Sequence, residues 1–400
     1  MKKENHYDLI IVGLGAMGSA ALYQAAKRGI NVLGIDRFDP PHEMGSSHAE
    51  TRLTRMAVGE GAEYVPLVTR ANEIWRELEE KSGQVVLYQD GLYIVAPKNP
   101  KKEEYNHWEN FIERSAEVAA EVGVEYEVLT SAEVRERNPK MLIPDSDYAG
   151  FEPTGGQVMA ERAVELQLKF AKEMGANVRP NSPVTGIEQK KSGGVQVETA
   201  DATFTADKVI LSAGAWTNDF MPQAQHKNFK VTRQVVYWFE VDNPEEYRPS
   251  LFPGTLWVGE TLADYVGLFA IPEGGIPGLK MLTEQYSDIS TAHDVSRDVS
   301  KDEIEYFFKT FAGRKVAGIK PNCLKASVCL YTHTPDDHFV IDWHPHYAEN
   351  VLLVSACSSH GFKHSAAVGE SAVQMAISGK SEIPLDAFKL DRLTTIKAHH

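Results

Sequence analysis

Leu9 to Val12 is an uninterrupted apolar run that ends at a glycine-rich stretch, and it predicts a strand buried on both faces. Beyond Gly13-Leu-Gly15-Ala-Met-Gly18 the pattern turns helical over Ala16 to Arg28, with Gly29 as its stop. Asn31 to Asp36 predicts a second strand. Further on, the 3.6-residue period predicts amphipathic helices over Tyr64–Lys81, Glu103–Val122, Ala160–Met174 and Asp302–Phe311. Val195–Thr199 and Thr203–Leu211 read as strands. Val231–Val241, Leu256–Val258, Tyr265–Ile271 and Leu279–Thr283 predict a sheet in a second domain. Phe339–Asp342 and Val351–Ala356 lead through a Gly/His-rich turn into a small-residue helix, Ser365–Ser378, which returns to the first domain. No internal repeat or low-complexity segment interrupts this order. The fold class is therefore α/β, with a Rossmann-like parallel sheet interleaved with a mixed-sheet domain.

Composition narrows the function. A length of 400 residues suits about two domains, and 42% hydrophobic with 24% charged residues suits a globular core. No apolar run approaches the ~20 residues of a membrane span, and a glycine motif stands where a signal-peptide cleavage site would be. The chain ends Lys-Ala-His-His, not in a peroxisomal signal, so a soluble, cytoplasmic protein is expected. With 41 basic and 56 acidic residues, the net charge of −15 disfavours nucleic acid and anionic membranes as partners. Three cysteines, Cys323, Cys329 and Cys357, exclude a disulfide framework, and the lack of Cys-x-x-Cys argues against structural zinc. What Cys329 does is left open by these residues alone.

The glycine motif carries specific chemistry. Gly13 allows a tight turn, Gly15 lets backbone approach a pyrophosphate, and Gly18 lets helix and strand pack closely. Asp36 ends the second strand, where an acid bonds a ribose hydroxyl. NAD and FAD both fit. The later segment Thr205-Ala-Asp-Lys-Val-Ile-Leu-Ser-Ala-Gly214-Ala-Trp216 resembles one found in two-dinucleotide-fold flavoproteins, which favours FAD. Arg52 and Arg55 share a face if their segment is helical, and arginine forks suit carboxylates; surface ion pairs are the competing reading. In Ser358-Ser359-His360-Gly361-Phe362-Lys363-His364, backbone N–H groups could face a flavin and Lys363 a carboxylate. Lys280 lies in an apolar run and points either inward or to solvent with equal claim. His333, His338, His344 and His346 fit no metal-ligand spacing, so no metal is expected.

Taken in order, these blocks resemble the monomeric sarcosine oxidase and N-methyltryptophan oxidase family of FAD amine oxidases. The resemblance rests on Gly13 to Gly18 with Asp36, on Asp39 to His42, on Gly45 to Arg55, and on Gly59 to Pro66. It continues through Gly214 to Trp216, Cys329 to Thr332, Asp337 to Asp342, and Ser359 to Lys363. It implies a discontinuous FAD-binding domain (1–85, 150–225 and 326–400) and a substrate domain (86–149 and 226–325). It implies FAD held by Gly13, Gly15, Gly18, Asp36, Ser46, His48, Thr51, Arg52, Val184, Gly214, Ser359, Gly361, Phe362 and Lys363, and joined covalently to Cys329. Cys357 is the rival attachment site and reads as buried. Arg52 would lie beside the flavin ring, Arg55 and Lys363 on the substrate carboxylate, Tyr331 in the pocket, and Lys280 where O2 is reduced.

The implied reaction oxidises a secondary N-methyl amino acid to an imine, which water hydrolyses; sarcosine would give glycine, formaldehyde and H2O2. The implied partners are a small amine and O2, with a monomer as the default. Departures surround the substrate: Met281 to Thr291 has no histidine and carries Glu284, Tyr265-Val-Gly-Leu-Phe-Ala-Ile-Pro272 differs from the family's pocket segment, and Ser359 replaces glycine. A bulkier amine (N-methyltryptophan, a fructosyl amino acid or pipecolate) is the alternative, as is a flavin dehydrogenase using a carrier.

Overall fold

The computed structural model describes residues 6–99, 110–259, 265–286 and 288–394. The nucleotide-type sheet grows from His6–Val12. Val32–Ile35 and then Asn177–Arg179 add in parallel on one side. Thr203–Leu211 adds in parallel on the other, followed by Val351–Ser355. Leu9 and Ile11 pack into one core cluster and Ile10 and Val12 into another, on opposite faces, which is why the run is continuously apolar. The hairpin Val184–Gln189 and Val195–Thr199 pairs antiparallel with the first half of Thr203–Leu211, and Val340–Trp343 closes the sheet beyond Val351–Ser355. The fold is mixed α/β, as the pattern predicts.

Four helices cover one face: Ala16–Lys27, Val65–Ser82, Ala160–Glu173 and Ser365–Ser378. The small residues of the last have a cause: a Cβ on Gly369 would lie 2.5 Å from both the Ala20 Cβ and the Ala21 backbone nitrogen. Of the helix expected over Glu103–Val122, Phe111–Val122 forms and residues 103–109 lie outside the described residues. The helix expected over Asp302–Phe311 ends as an α-helix at Phe307 and continues as a π-turn over Phe308–Ala312.

The second sheet runs Ile319–His333, Lys230–Val241, Gly278–Leu282, Val266–Phe269, Gly254–Trp257, Leu92–Pro97, Asp147–Glu152 and Glu127–Thr130. All neighbours are antiparallel except Gly254–Trp257 with Leu92–Pro97. A small third sheet joins Thr51–Thr54, Gly156–Met159 and Leu87–Tyr88. Thr51–Thr54 overturns the helical spacing of Arg52 and Arg55, since positions three apart on a strand face opposite ways. No described helix is long and apolar enough to cross a membrane.

Gly18 gives a first prediction. A Cβ there would meet the Gly13 carbonyl oxygen at 1.7 Å and Ser212 Oγ at 2.7 Å. Backbone cannot yield as a side chain does, so Gly18→Ala is expected to cost about 3 kcal/mol or more, the upper end of overpacking penalties. A urea-denaturation midpoint equal to wild type would show that strand and helix are not in contact.

Candidate active site

A cleft of about 1310 Å³, open solvent included, runs along the ends of the parallel strands. Gly13, Gly15, Asp36, Ser46, Arg52, Val184, Gly214, Tyr331, Ser359, Gly361 and Phe362 all line it. Gly13 has a φ of +89°, and a Cβ on it would lie 2.4 Å from the Ser212 carbonyl oxygen. Glycine is required there. Gly15 caps the helix Ala16–Lys27 without a side chain, leaving its N-terminus open to an anion; the Ala16 N–H donates to Ser47 Oγ at 3.0 Å. Asp36 is buried and accepts from the Leu14 N–H (2.6 Å) and the Phe38 N–H (2.8 Å), which ties the glycine loop to the second strand. These features fit a dinucleotide: a side-chain-free loop, an open helix end and an acid at the strand end.

The far wall of the cleft is a strained turn. Ser358 and Ser359 adopt φ of +39° and +65°, and a Cβ on Gly361 would lie 1.8 Å from the Ala356 carbonyl oxygen. Two left-handed serines cost energy, and such strain concentrates at sites that need a fixed backbone shape.

Five of the expected contacts are not on the cleft: Gly18, His48, Thr51 and Cys329 lie behind it, and Lys363 lines the neighbouring cavity instead. His48 is fully buried, and burial, with Arg52 next, drives its pKa down to about 3, so the ring is neutral. Its Nδ1 is 4.0 Å from Cys329 Sγ, and its Nε2 has no hydrogen-bond partner among the described residues. Thr51 Oγ1 is likewise buried without one. Cys329 lies on the strand Ile319–His333 with Arg52 Nη2 at 3.8 Å from its sulfur. Burial pushes its thiol up, while Arg52 and Lys280 oppose the shift. Cys357, read from sequence as buried, does face the cleft; its sulfur is 3.4 Å from the Thr332 backbone nitrogen.

Lys280 points inward. It is 2% exposed, donates to the Ala49 carbonyl (2.8 Å) and the Thr51 carbonyl (2.5 Å), and sits 3.7 Å above the centre of the Phe269 ring. Burial first, and Arg52 second, hold its pKa well below the usual lysine value. Those carbonyls come from a turn in which Ala49 and Glu50 take φ of +74° and +62°. The Glu50 carboxylate pins that turn by accepting from Trp238 Nε1 (2.6 Å) and the Ile276 N–H (2.8 Å).

A second cavity opens beside the first, and Arg52, Tyr331, Ser359 and Phe362 line both. Arg55 and Lys363 lie in it, buried at 4% and 2% exposure. Both bind Glu60 Oε1, Arg55 Nη2 at 2.6 Å and Lys363 Nζ at 3.1 Å. Burial raises the Glu60 carboxyl, but Arg55 and Lys363 outweigh it and leave the pKa well below the usual range. At Lys363 the balance goes the other way: burial outweighs Glu60 and lowers its pKa to about 7. Among the described residues Arg55 Nε and Glu60 Oε2 are buried with no hydrogen-bond partner, so the cluster has capacity for a further polar ligand. Leu256, Tyr265, Phe269 and Leu282 make an apolar wall, and Glu284 completes the lining.

Sequence reasoning missed Glu60 as the shared partner of Arg55 and Lys363; its place in the block Gly59 to Pro66 was the available signal. Of the grouped histidines His333 turns to Asp337, His338 to Tyr64 and His344 to the Phe220 carbonyl, while the His346 backbone N–H donates to His344 Nδ1 at 3.1 Å.

Comparison with known proteins fits this arrangement. Monomeric sarcosine oxidase of Bacillus sp. (strain NS-129) is 34% identical over 389 residues, covering 97% of each chain. N-methyl-L-tryptophan oxidase of Yersinia pestis (strain Pestoides F) is 34% identical over 389 residues, covering 96% of this chain and 99% of that one. Among solved structures, NikD, an amino acid oxidase essential for nikkomycin biosynthesis, superposes with a TM-score of 0.79 at 19% identity, over 99% of this chain and 100% of that one. Glycine oxidase from Geobacillus kaustophilus gives 0.76 at 20% identity, over 97% and 99%. The model of the FAD dependent oxidoreductase (DAO) family matches residues 8–375, and the chain belongs to that family.

Proposed function

We propose that this FAD-dependent oxidoreductase oxidises secondary N-alkyl amino acids of the sarcosine type and passes the electrons to O2. The carrying observation is the buried Arg55–Glu60–Lys363 cluster in a cavity that shares four residues with the dinucleotide cleft. Arg55 and, below about pH 7, the Lys363 ammonium share one carboxylate oxygen, so this wall of the pocket carries more positive than negative charge, which suits a substrate carboxylate.

In this reading Gly13, Gly15, Asp36, Ser46, Val184, Gly214, Ser359, Gly361 and Phe362 hold FAD, with Gly18, His48 and Thr51 supporting them from behind. Bound FAD supplies the acceptor for a hydride equivalent from the carbon beside the amine nitrogen. Arg55 and Lys363 hold the carboxylate and so fix that carbon against the shared wall of the two cavities, a positioning effect worth several kcal/mol. Arg52, between Cys329 and both cavities, sets the charge at the boundary. Tyr331 closes the pocket from the second sheet. The resulting imine is hydrolysed by water to amino acid and formaldehyde, with H2O2 as the other product. A soluble cytoplasmic monomer belongs to the same reading.

The apolar wall of Leu256, Tyr265, Phe269 and Leu282 supports a second reading, a bulkier amine such as N-methyltryptophan or pipecolate. The visible spectrum of the purified protein under argon separates them. Sarcosine is expected to bleach a yellow flavin spectrum, and air to restore it with release of peroxide. Bleaching by a bulkier amine alone moves the substrate; no bleaching by any secondary amine overturns the proposal.

A further inference from the structure

The pocket contains two carboxylates, and the function above uses only Glu60. Glu284 follows the strand Gly278–Leu282 and is 5% exposed. Its Oε2 accepts from the Tyr286 hydroxyl at 2.5 Å. Among the described residues Glu284 has no ion-pair partner, whereas Glu60 has Arg55 and Lys363. Several groups face it. Tyr286 comes from its own segment, and Tyr331 and His333 from the strand Ile319–His333, His333 being held by Asp337 at 2.9 Å. Ser359 and Lys363 face it from the strained turn, and Tyr265 from across the cavity. Burial raises the Glu284 carboxyl, and Tyr286, His333 and Ser359 draw it back in part. A buried carboxylate with a phenol donor and no cation is costly, and a cationic ligand relieves that cost. The cavity is thus polarised, with Arg55 and Lys363 on one wall and an uncompensated acid on another.

We propose that Glu284 receives the secondary ammonium group of the substrate and takes its proton. This rests on reading the pocket as an amino acid site. In the step an N–H bond breaks, an O–H bond forms on Glu284, and nitrogen keeps the electron pair. The positive charge of the ammonium and the negative charge of the carboxylate vanish together, so no new charge is buried. The lone pair then assists departure of the hydride equivalent from the adjacent carbon. The substrate class follows: a zwitterion with an ionisable N–H. A quaternary amine has no proton to give and would not react.

Calorimetry on the reduced enzyme under argon, where no turnover occurs, tests this with sarcosine and acetate as probes. Wild type is expected to bind sarcosine at least tenfold tighter than acetate. Glu284→Gln should erase that preference and leave acetate affinity within twofold, while Glu284→Asp restores part of it. Heats in two buffers give the protons exchanged. After subtraction of the acetate count, which removes the Lys363 contribution, the sarcosine count should vary with pH in wild type and be flat in Glu284→Gln. A wild type that binds acetate without preferring sarcosine, or a Glu284→Gln variant that keeps the preference, overturns the proposal. Loss of acetate binding in both variants also overturns it, because Glu284 would then merely support the wall. A wild type that binds neither probe overturns instead the reading of the pocket as an amino acid site.

Discussion

Lys280→Met is expected to slow the reaction of the reduced enzyme with O2 by about 10²–10³-fold, the scale on which one preorganised charge or donor acts. Reduction by the amine under argon should stay close to wild type. The separation follows from position: Lys280 lines neither cavity, so it does not touch the substrate pocket, yet it lies next to the backbone of Thr51 and against Phe269. Its ammonium is held by two carbonyls on a turn that Glu50 locks, so its place is fixed before any oxygen arrives. Methionine is close to it in length and removes the charge together with its two hydrogen bonds to the Ala49 and Thr51 carbonyls. The pH dependence has a definite sign. Burial lowers the Lys280 pKa, so the charge is present at low pH and lost at a lower pH than for an exposed lysine. The oxygen reaction should therefore fall as pH rises through that value, and Lys280→Met should flatten the limb. Stopped-flow mixing of reduced enzyme with O2 measures both effects. If the variant reoxidises at the wild-type rate, Lys280 has no part in O2 reduction; a wild type that itself reoxidises slowly and releases little peroxide makes a dehydrogenase using a carrier the better reading.

Much of the nucleotide-type sheet and its helices was legible because their residues obey local rules. Leu9 to Val12 is apolar on both faces because both faces are buried, and the glycine spacing reflects contacts that a Cβ would break. The turn before Ser365–Ser378 was visible through its composition, although Ser358 and Ser359 conceal the left-handed backbone that glycine would have announced. The 15-residue strand Ile319–His333 was not legible as a strand. It carries Pro321 and Asn322 and alternates poorly, because among the described residues it pairs only with Lys230–Val241 and its other edge makes no ladder bonds. The direction of Lys280 was undecidable from alternation, since every residue of Gly278–Leu282 is buried. The pairing of Glu60 with Arg55 and Lys363 joins residues 303 positions apart in the case of Lys363, and no local rule reaches that far.

We propose that FAD is joined covalently through Cys329, and attachment is then expected to be all-or-none. In the wild type, FAD should stay with the polypeptide after denaturation in guanidinium, while Cys329→Ser should release it completely and Cys357→Ser should retain it. Access alone points the other way, because Cys357 faces the cleft and Cys329 lies behind it. Reactivity decides in favour of Cys329. Joining a thiol to a flavin methyl carbon removes the S–H proton and one C–H proton and would leave two electrons on the flavin for O2 to take up. The sulfur attacks as the thiolate, and a buried thiolate needs a nearby cation. Burial raises both thiols, but after burial the largest influences on Cys329 are the charges of Arg52 and Lys280, whereas those on Cys357 are backbone N–H groups. Arg52 Nη2 lies 3.8 Å from the Cys329 sulfur and is itself fixed by the Ser46 carbonyl at 2.7 Å, so the cation stays in place during attack. Arg52→Met should then slow attachment even with Cys329 intact, leaving part of the FAD extractable. Mass spectrometry of the flavin-bearing peptide reads the outcome directly. A flavin on the peptide containing Cys357 would mean that access outweighs electrostatics at this site, and a wild type that releases all its FAD would mean that neither sulfur is close enough to react.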